Sequence, residues 1–156
     1  MRRFDRKNLR RSFANTAHLT AVNYEVSVDE MVARGAYSLW NKYVNSENFP
    51  TSGGKGKAKI ELIMVHLGRK VSSEEVLTHL EDNGMRPGTI EELLALGAEH
   101  PDVFLNDPVV CLGSSWLYDG CPFAPVLAGG ENKSLLLLLD PTGGWKKICC
   151  FLAVRK

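Results

Sequence analysis

Cysteine and histidine are the side chains that most readily do chemistry, and this sequence holds four of each. His18, His66, His79 and His100 are scattered and build no HxxxH or HxH pair, so they show no metal-ligand spacing. Cys111, Cys121, Cys149 and Cys150 are not spaced as a disulfide framework, and no nucleophile motif such as G-x-S-x-G is present. Catalytic groups meet in space rather than in sequence, so one enzyme reading stays open, with a site assembled from His66, Asp119, Cys121 and Asp140. For His66 alone, a hydrogen-bonded structural role is the plainer reading. Gly53, Gly54 and Gly56 with Lys55 and Lys57 superficially suggest a phosphate cradle. The G-x-x-x-x-G-K-[ST] pattern is missing, however, and the loop precedes a strand where a phosphate loop should open a helix. Neither a cofactor nor a metal is implied.

Binding has better sequence support. After Pro101 the chain turns rich in Gly, Pro, Asp and Asn, with short apolar runs (VVCLG, APVLAG, LLLLLD) between. Polar and aromatic residues punctuate that stretch, and irregular loops on a rigid scaffold are where binding residues concentrate. The candidate contact residues are Trp116, Tyr118, Asp119, Glu131, Lys133 and Trp145, since Tyr and Trp supply large contact area at low entropic cost. Trp116 and Trp145 would serve equally well as plugs of a core.

The elements that must position these residues are legible mainly through helix starts. Ser72 and Glu75 form an S-x-x-E capping box, with Val71 and Val76 as its hydrophobic staple, and Gly84 is placed to end the helix in a left-handed conformation. Val76, Leu77 and Leu80 then share a face. Thr89 and Glu92 repeat the box ahead of Ile90, Leu93, Leu94 and Ala98, and Pro101 stops this second helix, so the spacing predicts helix, tight MRPG turn, helix. A third box, Ser27 and Glu30 with the staple Val26 and Met31, opens a short helix closed at Gly35. His18 to Val26 reads as a strand with Thr20, Val22, Tyr24 and Val26 on one face. Ile60 to Leu67 and Lys147 to Lys156 are apolar on both alternating faces, as expected of strands covered on both sides. Tyr37, Trp40 and Tyr43 stand at helix-like spacing, which marks a core stripe within a helix over 36–48.

A chain of 156 residues with 44% hydrophobic and 24% charged residues suits one domain with a real core. Six of its first twelve residues are basic and one is acidic, within a total of only +1. This divides the chain into a basic N-terminal arm, 1–17, and a single α+β domain, 18–156. The arm reads as a solvated terminus, and the alternative is contact with nucleic acid. The longest apolar run, Leu135 to Leu139, is too short to span a bilayer, and no apolar region follows the basic N-terminus as in a secretion signal. Reduced thiols in a cytoplasmic protein are the expectation.

Two resemblances follow from these stretches. GTIEELLALGAEHPDVF, DPVVCLGSSW, LLLLLD with GGW, and FLAVRK together resemble a family of uncharacterised bacterial proteins seen especially in small-genome candidate phyla; the likeness runs from about Tyr24 to Lys156 and carries no function with it. Arg86, Pro87, Thr89, Glu92 and Leu93, with Phe151 to Arg155 as a closing strand, are similar to C-type-lectin-like folds of the formylglycine-generating-enzyme and retroelement variable-protein type. That likeness implies a fold, not the copper-dependent chemistry of the enzyme branch, because the paired cysteines of that branch are not recognisable here. The expected fold class is thus α+β, two or three helices packed on a mixed or antiparallel sheet, with a C-type-lectin-like arrangement as what the resemblance adds. The expected role is a non-catalytic binding or interaction module in which the loops between Pro101 and Trp145 hold a protein or small ligand.

Overall fold

The computed structural model describes residues 15–51, 54–130 and 132–156. Among them, three helices pack on a nine-stranded mixed sheet, an α+β architecture. The order in the chain is β1 (Thr16–Asn23), α1 (Val28–Gly35), β2 (Leu39–Trp40), β3 (Lys57–His66), α2 (Ser73–Asp82), β4 (Met85–Pro87), α3 (Ile90–Glu99), β5 (Val109–Val110), β6 (Trp116–Tyr118), β7 (Cys121–Gly130), β8 (Lys133–Leu139) and β9 (Cys150–Arg155). Across the sheet the order is β1-β3-β9-β5-β7-β8-β2, with β4 paired to β9 and β6 paired to β7. The β2–β8 and β5–β9 pairs are parallel and the others antiparallel. The expected arm boundary shifts toward the N-terminus, since Thr16 and Ala17 already pair with Met64 and Ile63. Residues 1–14 lie outside the described residues.

The apolar runs of β3 and β9 produce two cores, one on each side of the sheet. Leu62 and Met64 of β3, with Cys150, Leu152 and Val154 of β9, join the cluster under α1 and α3. Ile63 and Val65, with Cys149, Phe151 and Ala153, join a second cluster with Val76 and Leu80 of α2 and with Trp145. Strict alternation of apolar residues along a strand feeds both faces in this way. Strand β9 is central: β3 lies along one edge, while β5 and β4 share the other. No helix among the described residues is long and apolar enough to cross a membrane.

The helix starts form largely as the capping signals dictate. In α2 the Ser72 N–H donates to Glu75 Oε1 at 3.0 Å, and the Glu75 N–H donates to Ser72 Oγ at 3.1 Å. At α1 the Glu30 N–H donates to Ser27 Oγ, but the Glu30 carboxylate turns to Arg34 one turn on. At α3 the Thr89 N–H donates to Glu92 Oε1 at 2.8 Å, and the Ile90 N–H donates to Ser114 Oγ, a partner supplied by a distant loop. The edge of β1 is covered from α3: the Ala21 N–H donates to Glu99 Oε2, and His100 Nε2 lies 3.1 Å from the Leu19 carbonyl. Covering an edge strand in this way blocks pairing with another chain.

Four expectations need correction. Residues 36–48 form no helix; of the three aromatic residues only Tyr37 enters the core, beside Val44, and Asn side chains claim the backbone instead. The Tyr43 N–H donates to Asn41 Oδ1, and the Asn48 N–H donates to Asn45 Oδ1. Such local bonds compete with the helix ladder. The residue closing α1 in the left-handed region is Ala36 (φ 50°), not Gly35. Gly35 serves close approach, because a Cβ there would lie 2.3 Å from the Tyr37 ring. MRPG is a strand rather than a tight turn: after Gly84 (φ 71°) the chain runs straight into the ladder with β9. Leu77 of α2, lastly, faces outward beside its buried neighbour Val76.

Candidate binding surface

The Asp119-Gly120 step builds the site. Both residues have positive φ (51° and 80°), the requirement of a type I′ hairpin turn, so β6 folds back on the start of β7. Trp116 is opposite Phe123, and Tyr118 is opposite Cys121. Side chains two apart in a strand share a face, so Trp116 and Tyr118 stand side by side. Their ring centroids are 5.0 Å apart. Phe123 lies 6.2 Å from Trp116 and meets Tyr118 edge-on at 6.4 Å.

Tyr43 completes the row. The parallel pairing of β2 with Leu135 and Leu136 carries the following residues toward this hairpin, and Tyr43 stacks on Trp116 at 4.8 Å with an interplanar angle of 16°. Lys42 Nζ sits over the Tyr43 ring, 5.4 Å from its centroid. Trp116 is packed against the core beneath, whereas Tyr43 and Tyr118 remain 44% and 58% exposed. The result is an aromatic platform anchored through its middle ring and open at both ends.

On the opposite face of the hairpin are Leu117 and Pro122. Pro122 helps wall a cavity of about 500 Å³ with Ser72, Leu77, Leu112, Ser115 and Thr142. At its margin the Cys121 thiol donates to Asp140 Oδ1 at 3.2 Å, and the same oxygen accepts the Thr142 N–H at 2.8 Å. Asp140 holds the Cys121 thiol above its ordinary pKa, so the thiolate a nucleophile needs is disfavoured. Bonds from Thr142 and Cys121 hold the Asp140 carboxyl below its ordinary value, and it stays charged.

The other candidate residues do not gather here. Trp145 is 4% exposed, packed edge-on against Phe151, with its Nε1 donating to Ser73 Oγ. It belongs to the second core and offers no contact surface. Lys133 pairs with Gly130 at the far end of the long hairpin, nine residues along β7 from Cys121 and so about 30 Å away. Strands take half of residues 102–145, which therefore do not form one loop face. Glu131 lies outside the described residues. His66 ends β3 opposite Cys150, about 20 Å along the strands from Cys121 and three strands across, so the four residues of the enzyme reading do not converge. Burial lowers the His66 pKa, and its neighbour in charge is Asp107. Among the described residues, no group of three or more His, Cys, Asp and Glu is placed to hold a metal.

A second polar constellation lines a cavity of about 390 Å³ between β4 and α3. Glu92, fully buried, accepts both Nη groups of Arg86, the Tyr24 hydroxyl at 2.6 Å and the Thr89 N–H. Burial alone would raise the Glu92 carboxyl; these donors outweigh it and hold the pKa below the usual range. A carboxylate so fully engaged is a structural anchor, because no lone pair is left for a reacting proton. Comparison with protein-family models, with curated proteins and with solved structures finds no match.

Tyr43 and Phe123 are the site residues that sequence reasoning missed. For Phe123 a signal exists, since Asp-Gly between WLY and CPF marks a two-residue hairpin. For Tyr43 there is none, because its contact spans the whole sheet connection.

Proposed function

We propose that the chain is a non-catalytic binding module for a protein or small ligand, with the Tyr43–Trp116–Tyr118–Phe123 platform as its contact surface and Asp119 at its rim. One observation carries this reading: Trp116 is fixed by packing while both rings beside it stay open to solvent. Rigid aromatic anchors with charged neighbours are the usual composition of binding hot spots. The enzyme reading has less support, because Cys121 and Asp140 meet without His66 and the thiol is deactivated. Nucleic-acid contact through the basic arm is a separate reading that salt dependence of binding would separate. The C-type-lectin-like arrangement is part of the proposal; it draws support from α2 and α3 joined through Arg86 to Glu92 and from a closing strand, β9, paired with β4. Four free cysteines are in keeping with the cytoplasmic expectation.

The test is affinity capture from a bacterial lysate with wild type and Tyr118→Ala side by side, followed by calorimetry on any captured partner. Loss of an anchor should weaken binding by about thirtyfold, roughly 2 kcal/mol, with the melting temperature little changed. Equal capture by both proteins would place the contact surface elsewhere.

A further inference from the structure

The stacking within the platform restricts what can bind it. Tyr43 lies nearly parallel to Trp116 at 4.8 Å, Tyr118 flanks the same indole at 5.0 Å, and the Lys42 ammonium lies over Tyr43. The ring faces at the centre of the row are already taken by neighbours. Sugars and nucleobases bind aromatic side chains by lying flat on a ring, and at Trp116 they would find its faces covered. The row offers ring edges and exposed hydroxyls instead. A polyproline II helix is a ligand that can lie along such a row: it has three residues per turn and rises 3.1 Å per residue. Its repeat is therefore about 9 Å, while the two ring steps from Tyr43 to Tyr118 together span at most about 10 Å.

Hydrogen bonding points the same way. A polyproline II segment makes no internal hydrogen bonds, so its carbonyls seek donors. The Tyr43 and Tyr118 hydroxyls and Trp116 Nε1 have no hydrogen-bond partner among the described residues. Three unengaged donors along one apolar row match such a series of carbonyls. The row is also electrically polar. Asp119 follows Tyr118 in the hairpin turn, and Asp140 touches Cys121, the residue opposite Tyr118. The base, Lys42, is at the Tyr43 end.

We propose that the Tyr43–Trp116–Tyr118 row takes a proline-rich segment in the polyproline II conformation, with an arginine or lysine of that segment lying against Asp119 and Asp140. This rests on the binding-module reading above and names the partner chemistry of the same surface. The charge pattern sets a direction, the basic residue at the Tyr118 end. Exposed aromatic rows are a general solution for such ligands, because the extended helix is preformed and loses little entropy on docking.

The experiment is a titration of the isotope-labelled full chain, followed through the Trp116 indole N–H, which is assigned by its loss in Trp116→Phe. The probes are a proline peptide of about ten residues bearing one terminal arginine, the same peptide without arginine, and cellohexaose. The proline peptides should shift the Trp116 signal to saturation. Tyr118→Ala and Tyr43→Ala should each weaken them by about tenfold or more. Asp119→Asn should weaken the arginine peptide alone, by about twofold to fivefold at low salt. An unmoved Trp116 signal at millimolar proline peptide overturns the proposal, as does equal binding by Tyr118→Ala. A Trp116 shift with cellohexaose but not with proline peptides overturns it while leaving the platform as the binding surface. If the lysate partner is also indifferent to Tyr118→Ala, the binding-surface reading falls as well. Unchanged amide dispersion in each variant shows that the fold is intact.

Discussion

Arg86 and Glu92 meet end to end: Nη1 lies 2.9 Å from Oε1 and Nη2 lies 2.7 Å from Oε2, with the carboxylate wholly buried. This pair ties β4 to the first turn of α3, and Tyr24, just beyond β1, is bound to the same carboxylate. Removing Arg86 would leave a buried charge without its counterion. Arg86→Ala should therefore destabilise the fold by about 3–5 kcal/mol in urea unfolding, and Arg86→Lys should recover little of it, because a lysine cannot make the bidentate contact. Glu92 also sets a pH window. Its folded pKa lies below the unfolded value, so its contribution is complete above about pH 4.3 and is lost as pH falls through the folded value. Glu92→Gln should flatten that acid limb in a stability–pH profile.

Ala36 pays for a left-handed backbone that glycine adopts freely. Because the residue is exposed and its backbone N–H closes α1 on the Ala33 carbonyl, Ala36→Gly should raise stability by about 0.5–1 kcal/mol. Thermal unfolding should move up by about 2–4 °C. The neighbouring Gly35→Ala should do the opposite, since its Cβ would meet the Tyr37 ring.

Phe151 is buried in the second core, in the middle strand of the sheet, against Trp145. Phe151→Ala should lower stability by about 3–5 kcal/mol, and truncation before this residue should abolish the cooperative thermal transition. Circular dichroism melts of both proteins decide the point.

Cys121 is accessible yet held as a thiol by Asp140. Alkylation by iodoacetamide should therefore be slow at neutral pH, with a midpoint above that of an ordinary cysteine. Asp140→Asn should move the midpoint down and speed the reaction by about threefold or more near pH 7.5, as read by mass spectrometry.

How much of this could be read from the sequence depended on the range of the interaction involved. The box at Ser72 and Glu75 and the alternation in β3 and β9 are local patterns that take their expected form, and the row Thr20, Val22, Tyr24, Val26 is buried as expected although β1 ends at Asn23. Trp116, Tyr118 and Asp119 were legible as surface candidates for the same reason, their turn chemistry being local. Trp145, Lys133 and Tyr43 were misjudged or missed because their environments are made by residues far away in the chain: Ser73 and Phe151 around Trp145, the length of β7 between Lys133 and the platform, and the β2–β8 pairing behind Tyr43. Propensity also gave way at 36–48, where asparagine side chains outcompeted a helical spacing of aromatic rings.

The placement of β9 also has a consequence for biosynthesis. The strand that joins β3 to β5 and β4 follows all of them in sequence, so both halves of the sheet are made before the piece that unites them. Until Cys150–Arg155 join, the β1–β3 pair and the β7–β8 hairpin wait with open edges and uncovered apolar faces. That interval is when a nascent chain is most liable to pair with the wrong partner. Refolding yield should therefore fall as protein concentration rises, since the two halves stay exposed to mispairing until β9 docks.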